Sequence, residues 1–113
     1  MPNLEVFTHH RPDITLMALS GEMDLASCPA LEQATLVTPA RRGTLHMDLS
    51  GVTFMDSSGV NLLLRLRRRL LADGGRLLVT GLREQPSDVL HVTGVDTLLD
   101  TDRTARLPAP RQP

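Results

Sequence analysis

Apolar and polar positions alternate along this chain with two different periods, and the switches between them mark out its elements. Leu4 to Thr8 predicts a short strand with Leu4 and Val6 on one face. His9-His10-Arg11-Pro12-Asp13 is polar and carries a proline, which predicts a turn. From Ile14 to Ser20, Ile14, Leu16 and Ala18 alternate with Met17 and Leu19. Apolar residues on both faces fit a strand covered at least partly on both sides, and Gly21-Glu22-Met23-Asp24 is expected to break it. A helix is expected over Cys28 to Leu36, with Ser27 as N-cap and Pro29 in the first turn, where missing N–H groups cost nothing. Pro39 cannot continue it, and Arg41-Arg42-Gly43 reads as a loop.

Leu45, Met47 and Leu49 then alternate with His46, Asp48 and Ser50 as a half-buried strand, and Val52 and Phe54 lead into Asp56-Ser57-Ser58-Gly59. The helix expected from about Ser58 to Ala72 places Gly59, Leu62, Leu63, Leu66 and Leu70 in one stripe at about 100° per residue, facing the sheet. Arg65, Arg68 and Arg69 lie opposite, and Val60, Leu64 and Leu71 form a second apolar edge interrupted by Arg67. Asp73-Gly74-Gly75 ends that helix, Leu77-Leu78-Val79 is a short strand, Pro86 to Val92 a shorter helix closed by Gly94, and Val95 to Thr101 a last strand. Residues 1–101 thus read as one α/β domain in the order β-β-α-β-α-β-α-β, with helices on a mixed, mostly parallel sheet of about five strands. Residues 102–113, rich in Arg and Pro, read as a flexible tail, so that a last helix is short or absent.

Composition narrows the function. The 113 residues suit one core, with 41% apolar and 22% charged residues. Phe7 and Phe54 are the only aromatics, which argues against stacking platforms for single-stranded nucleic acid, and the net charge of −1 provides no field towards nucleic acid or anionic lipid. All twelve basic residues are Arg, which excludes Lys-based phosphate clamps and Schiff bases. Cys28, the single cysteine, excludes an internal disulfide and a multi-cysteine metal site. With no membrane-length apolar run and no signal peptide in the first residues, the expected location is the cytoplasm, with neither nucleic acid nor membrane as partner.

The candidate chemistry sits at Asp56-Ser57-Ser58-Gly59, where two hydroxyls meet a helix start whose unpaired N–H groups and dipole suit an anion. An ordinary N-cap would use the same residue types. So would a nucleophile turn of the G-x-S-x-G kind, but its first glycine is missing and the nearest candidate base, His46, lies several residues back on the incoming strand. The Arg65 to Arg69 run at helical spacing reads mainly as a solvated face, His9-His10 lacks further metal ligands, and Cys28 near a helix start could carry a lowered pKa or simply fill space.

Ser20-Gly21-Glu22-Met23-Asp24 and Asp48-Leu49-Ser50-Gly51-Val52-Thr53-Phe54-Met55-Asp56-Ser57-Ser58-Gly59-Val60, with Gly74-Gly75 and Val92-Thr93-Gly94-Val95, resemble the STAS domains (sulfate transporter and anti-sigma factor antagonist). The likeness is to the free-standing bacterial anti-sigma factor antagonists and covers roughly residues 4 to 101. The resemblance implies a non-enzymatic protein without cofactor or metal. Its unphosphorylated form would bind an anti-sigma factor that is also a serine kinase, and so release a sigma factor. Phosphorylation on the first hydroxyl of the motif, here Ser57 rather than Ser58, would break that complex, and a metal-dependent serine/threonine phosphatase would reset it. The partner footprint it implies comprises Asp24, Asp56, Ser57, Ser58, Gly59, Val60, Asn61 and Leu64. Two alternatives stand beside it: a STAS module that binds a nucleotide or other small ligand or serves a lipid-transport or stress-signalling assembly, and a small hydrolase using Ser57.

Overall fold

The computed structural model describes residues 3–36 and 43–101. Its elements are β1 (Leu4–His10), β2 (Ile14–Met23), α1 (Cys28–Leu36), β3 (Thr44–Met55), α2 (Ser57–Ala72), β4 (Arg76–Thr80), α3 (Glu84–Val92) and β5 (Asp100–Thr101), with a 3-10 turn at Val95–Thr97. They form one sheet in the order β1-β2-β3-β4-β5. β1 runs antiparallel to β2, and every other pairing is parallel. The expected mixed, mostly parallel sheet is therefore present. The loop expected around Pro39 and Arg41-Arg42, the tail at 102–113 and any last helix lie outside the described residues.

One face of the sheet supplies the core. Thr15, Met17 and Leu19 of β2, Leu45, Met47 and Leu49 of β3, and Leu77 and Val79 of β4 are all buried. All but Thr15 join Leu31 of α1, the stripe Leu62, Leu63, Leu66 and Leu70 of α2, and Leu90 of α3 in a single cluster. The alternate positions Leu16, Ala18, His46, Asp48, Leu78 and Thr80 are only half-buried.

The strands depart from the expected bounds for identifiable reasons. β2 does not end at Gly21 but continues to Met23, because Gly21 adopts φ 124°, which a side chain would resist, while still pairing with Leu4 and Val52. β3 runs unbroken into the Asp56 turn. Its register against β2 shifts between Ala18 and Ser20 and again between Gly21 and Glu22, so that Ala18 faces Asp48 but Met23 faces Met55. Two extra residues on β3 are two bulges. They explain why the buried positions after Leu49 are Val52 and Met55, at spacing three instead of two, and why Phe54 is left partly exposed. The last strand expected over Val95–Thr101 is instead the 3-10 turn followed by the two-residue β5. Helix α3 starts two residues before Pro86, at Glu84, and α2 one residue early, at Ser57. Beyond Ala72, Gly75 N–H donates to the Leu70 carbonyl (2.8 Å) and Gly74 N–H to Leu71 (3.1 Å), the closing pattern expected from the Asp-Gly-Gly sequence.

Candidate functional site

β3 delivers the chain to the start of α2, and the N-cap is the acid, not a hydroxyl. Asp56 is extended (φ −115°, ψ −168°), and its Oδ1 accepts the Ser58 N–H at 2.8 Å. Its carbonyl accepts from Gly59 and Val60, and its own N–H donates to the Met23 carbonyl at 3.2 Å, which ties the turn to the end of β2. With the acid committed to capping, Ser57 is left exposed as the first helical residue and Ser58 half-buried. Replacing Asp56 by Ala should lower stability by about 0.5–2 kcal/mol. The check is a lower urea midpoint at unchanged m-value.

Gly59 is the contact point between α2 and the sheet. A Cβ there would stand 2.7 Å from Met55 Cγ and 3.2 Å from Met23 Cβ, both side chains being fully buried. Val60 is 5% exposed and packs in the core. Gly59 and Val60 therefore shape the expected partner footprint from beneath, while Asn61 is exposed and Leu64 half-buried against the core.

Asp24 sits in the turn after β2, where its Oδ1 accepts the N–H groups of Ala26 (3.1 Å) and Ser27 (3.0 Å). Ser27 does precede α1 and its carbonyl accepts the Leu31 N–H, but its hydroxyl does not cap the helix as expected. It donates to the Glu22 carbonyl at 2.6 Å and accepts the Asp24 N–H at 3.0 Å, holding the turn closed. The Asp24 and Asp56 turns are thus neighbours joined through Met23. Burial, then the Asp56 carboxylate, then that of Asp24 push the Cys28 thiol above its ordinary pKa. A lowered Cys28 pKa is thereby overturned, and the buried thiol is a filler.

Between α1 and α2 lies a cleft of about 250 Å³ lined by Leu25, Cys28, Pro29, Glu32, Ser58, Asn61 and Arg65. Arg65 binds Glu32 through two parallel hydrogen bonds of 2.9 Å, and Arg69 donates to the Thr35 carbonyl at 2.8 Å. Part of the arginine stripe is therefore a tie between helices as well as a solvated face. The cleft is smaller than the roughly 300–1,000 Å³ usual for a ligand pocket, and its guanidinium is already matched.

Among the described residues no histidine hydrogen-bonds either serine: His46 pairs with Thr80 (2.7 Å), His10 with Thr15 (3.4 Å) and His91 with Asp96 (3.0 Å). Nor do they contain a metal-holding group of His, Cys, Asp or Glu, or a helix long and apolar enough to cross a membrane. A residue that pattern reading missed is Gln85. Its Oε1 accepts the Met55 N–H (2.8 Å) and its Nε2 donates to the Met55 carbonyl (3.0 Å). The β3–β4 ladder ends at Asp48 and Thr80, and the Gln85 amide takes the place of a strand beside the end of β3.

A family model described as "Mlab, STAS domain" matches residues 7–100. The anti-sigma-B factor antagonist of Staphylococcus epidermidis is 30% identical over 99 residues, covering 86% of this chain and 89% of that protein. Among solved structures, an anti-sigma factor antagonist from Mycobacterium paratuberculosis superposes with a TM-score of 0.78 at 27% identity, covering 89% of this chain and 86% of that one. The anti-sigma factor antagonist SpoIIAA in its unphosphorylated form has a TM-score of 0.73 at 20% identity, covering 89% and 90% respectively, a likeness of fold.

Proposed function

The chain belongs to the STAS-domain family, and on that premise we propose that it is an anti-sigma factor antagonist switched by phosphorylation of Ser57. The observation that carries this reading is the exposed Ser57 hydroxyl at the first position of α2, beside an acid whose Oδ1 caps the helix. The unphosphorylated protein binds an anti-sigma factor serine kinase through the Asp24 turn, Asp56, Ser57, Ser58, Asn61 and Leu64, with Gly59 and Val60 as support, and a sigma factor is released. The kinase then transfers the γ-phosphoryl group of its ATP to Ser57 Oγ. The bond to ADP breaks, the hydroxyl proton is lost, and the complex separates. A serine/threonine phosphatase restores the hydroxyl. The protein is a substrate in this cycle, not a catalyst, and the use of cytosolic ATP sets the cycle in the cytoplasm.

Phosphate adds about −1.5 to −2 charges at pH 7. At a helix N-terminus such charge is stabilised by roughly 0.3–1 kcal/mol, so the domain stays folded and the cost falls on the complex. Incubation with the cognate kinase and ATP, followed by peptide mass spectrometry, should place a single phosphate on Ser57. Phosphate on another residue, or none with any candidate anti-sigma kinase, would overturn the acceptor assignment.

A further inference from the structure

We propose that β1 is a self-association edge on which a second copy of this chain docks, antiparallel and about a twofold axis at Phe7. β1 pairs with β2 on one side and has no strand on the other among the described residues. Its register against β2 is regular over all seven residues. Strands left at an edge are usually protected by charged side chains, proline, a bulge or a short length, and of these β1 carries only the charge of Glu5.

Which backbone groups face outward follows from two bonds. The Asn3 carbonyl accepts the Glu22 N–H and the Arg11 N–H donates to the Ile14 carbonyl, both at 2.8 Å. Odd-numbered residues are therefore turned towards β2, and by strand alternation Leu4, Val6, Thr8 and His10 turn their N–H and C=O groups outward. An antiparallel copy satisfies them only in registers that set even residues opposite even residues. Among these, the register centred on Phe7 is the one that pairs the whole strand: Leu4 with His10, Val6 with Thr8, Glu5 with His9, and Phe7 with its own counterpart.

The side chains agree with that register. Glu5, Phe7 and His9 lie on the face away from the core, since they pair across from Ser20, Ala18 and Leu16. In the Phe7-centred register they occupy the pairs without mutual hydrogen bonds, where side chains come closest, at about 4.5 Å between Cα atoms. Each Glu5 then meets a His9, an acid against a base. Phe7, 65% exposed in the single copy, meets a second ring. The result is an isologous pair with a sheet continuous across both copies. This inference is independent of the phosphorylation of Ser57.

Sedimentation equilibrium should show a concentration-dependent dimer. Thr8→Pro removes an outward N–H and none of the β1–β2 ladder, a substitution edge strands tolerate, and should weaken the dimer roughly tenfold or more. Under mild oxidation Phe7→Cys should cross-link to itself, since about 4.5 Å between Cα atoms falls within disulfide reach. Glu5→Cys and His9→Cys should each form no disulfide across the pair when alone and should cross-link when mixed. The buried Cys28 does not compete. A monomer at all concentrations up to about 1 mM, corresponding to about −4 kcal/mol, would overturn the proposal. So would a dimer indifferent to Thr8→Pro, or Glu5→Cys cross-linking by itself as readily as Phe7→Cys.

Discussion

Ser57→Asp should weaken binding of the anti-sigma kinase by at least about thirtyfold, while Ser57→Ala binds at full strength and cannot be released by ATP. The expectation follows from where the new charge would stand. Asp56 adjoins it, and Asp24 lies in the neighbouring turn linked through the Met23 carbonyl. A partner seated there would have to strip water from a third negative group, and Arg65, the cation of the adjoining cleft, is already held by Glu32. The helix start tolerates the same charge in the free protein, so Ser57→Asp should melt within a few degrees of the unsubstituted chain, by the order of the helix-dipole effect. Calorimetric titration of both variants with the kinase is the measurement. Equal affinities would remove the switch, and a large loss in Ser57→Ala as well would make Ser57 a docking contact without regulation.

The second large effect concerns Gln85. Gln85→Leu keeps most of the side-chain volume and removes both bonds to Met55, whose side chain is fully buried. One N–H and one C=O would then lack partners, at about 1–3 kcal/mol each, for a total loss of about 2–6 kcal/mol. Denaturant unfolding measures this directly. Because Met55 immediately precedes the Asp56 cap, amide exchange at Ser58 and Gly59 should accelerate more than exchange in β4. Uniform acceleration throughout the domain would mean that Gln85 acts on global stability alone. Gln85→Glu retains the acceptor for the Met55 N–H but loses the donor, and should fall between the two.

These two positions mark how far reading along the chain could go. The α2 stripe was legible because the helical period is unbroken over four turns and its apolar residues all meet one core, and the Asp-Ser-Ser-Gly turn was legible because N-cap chemistry is local. The closure of α2 by Gly74 and Gly75 follows for the same reason. Gln85 was not legible, since its partner lies thirty residues earlier and an amide at a helix start has many other uses. The Glu32–Arg65 pair is likewise a contact between two helices whose relative rotation no local pattern specifies. Val60 was read as part of a second apolar edge because its angle on the helical wheel lies beside the main stripe, and tertiary packing brings it into the core cluster. Ser27 was misjudged because a hydroxyl at a helix start has competing acceptors, and the Glu22 carbonyl wins.

The two bulges of β3 have a consequence for how this segment can vary. They work as paired frame shifts: the first moves every later side chain to the other side of the sheet, and the second moves it back. A one-residue insertion or deletion between Asp48 and Asp56 would leave the count odd, turning Met55 to solvent and rotating α2 on its seat. Changes of two residues would keep the phase. In a loop, length is free to drift; along this strand it behaves as a parity, so a single-residue length change here costs the domain the burial of Met55.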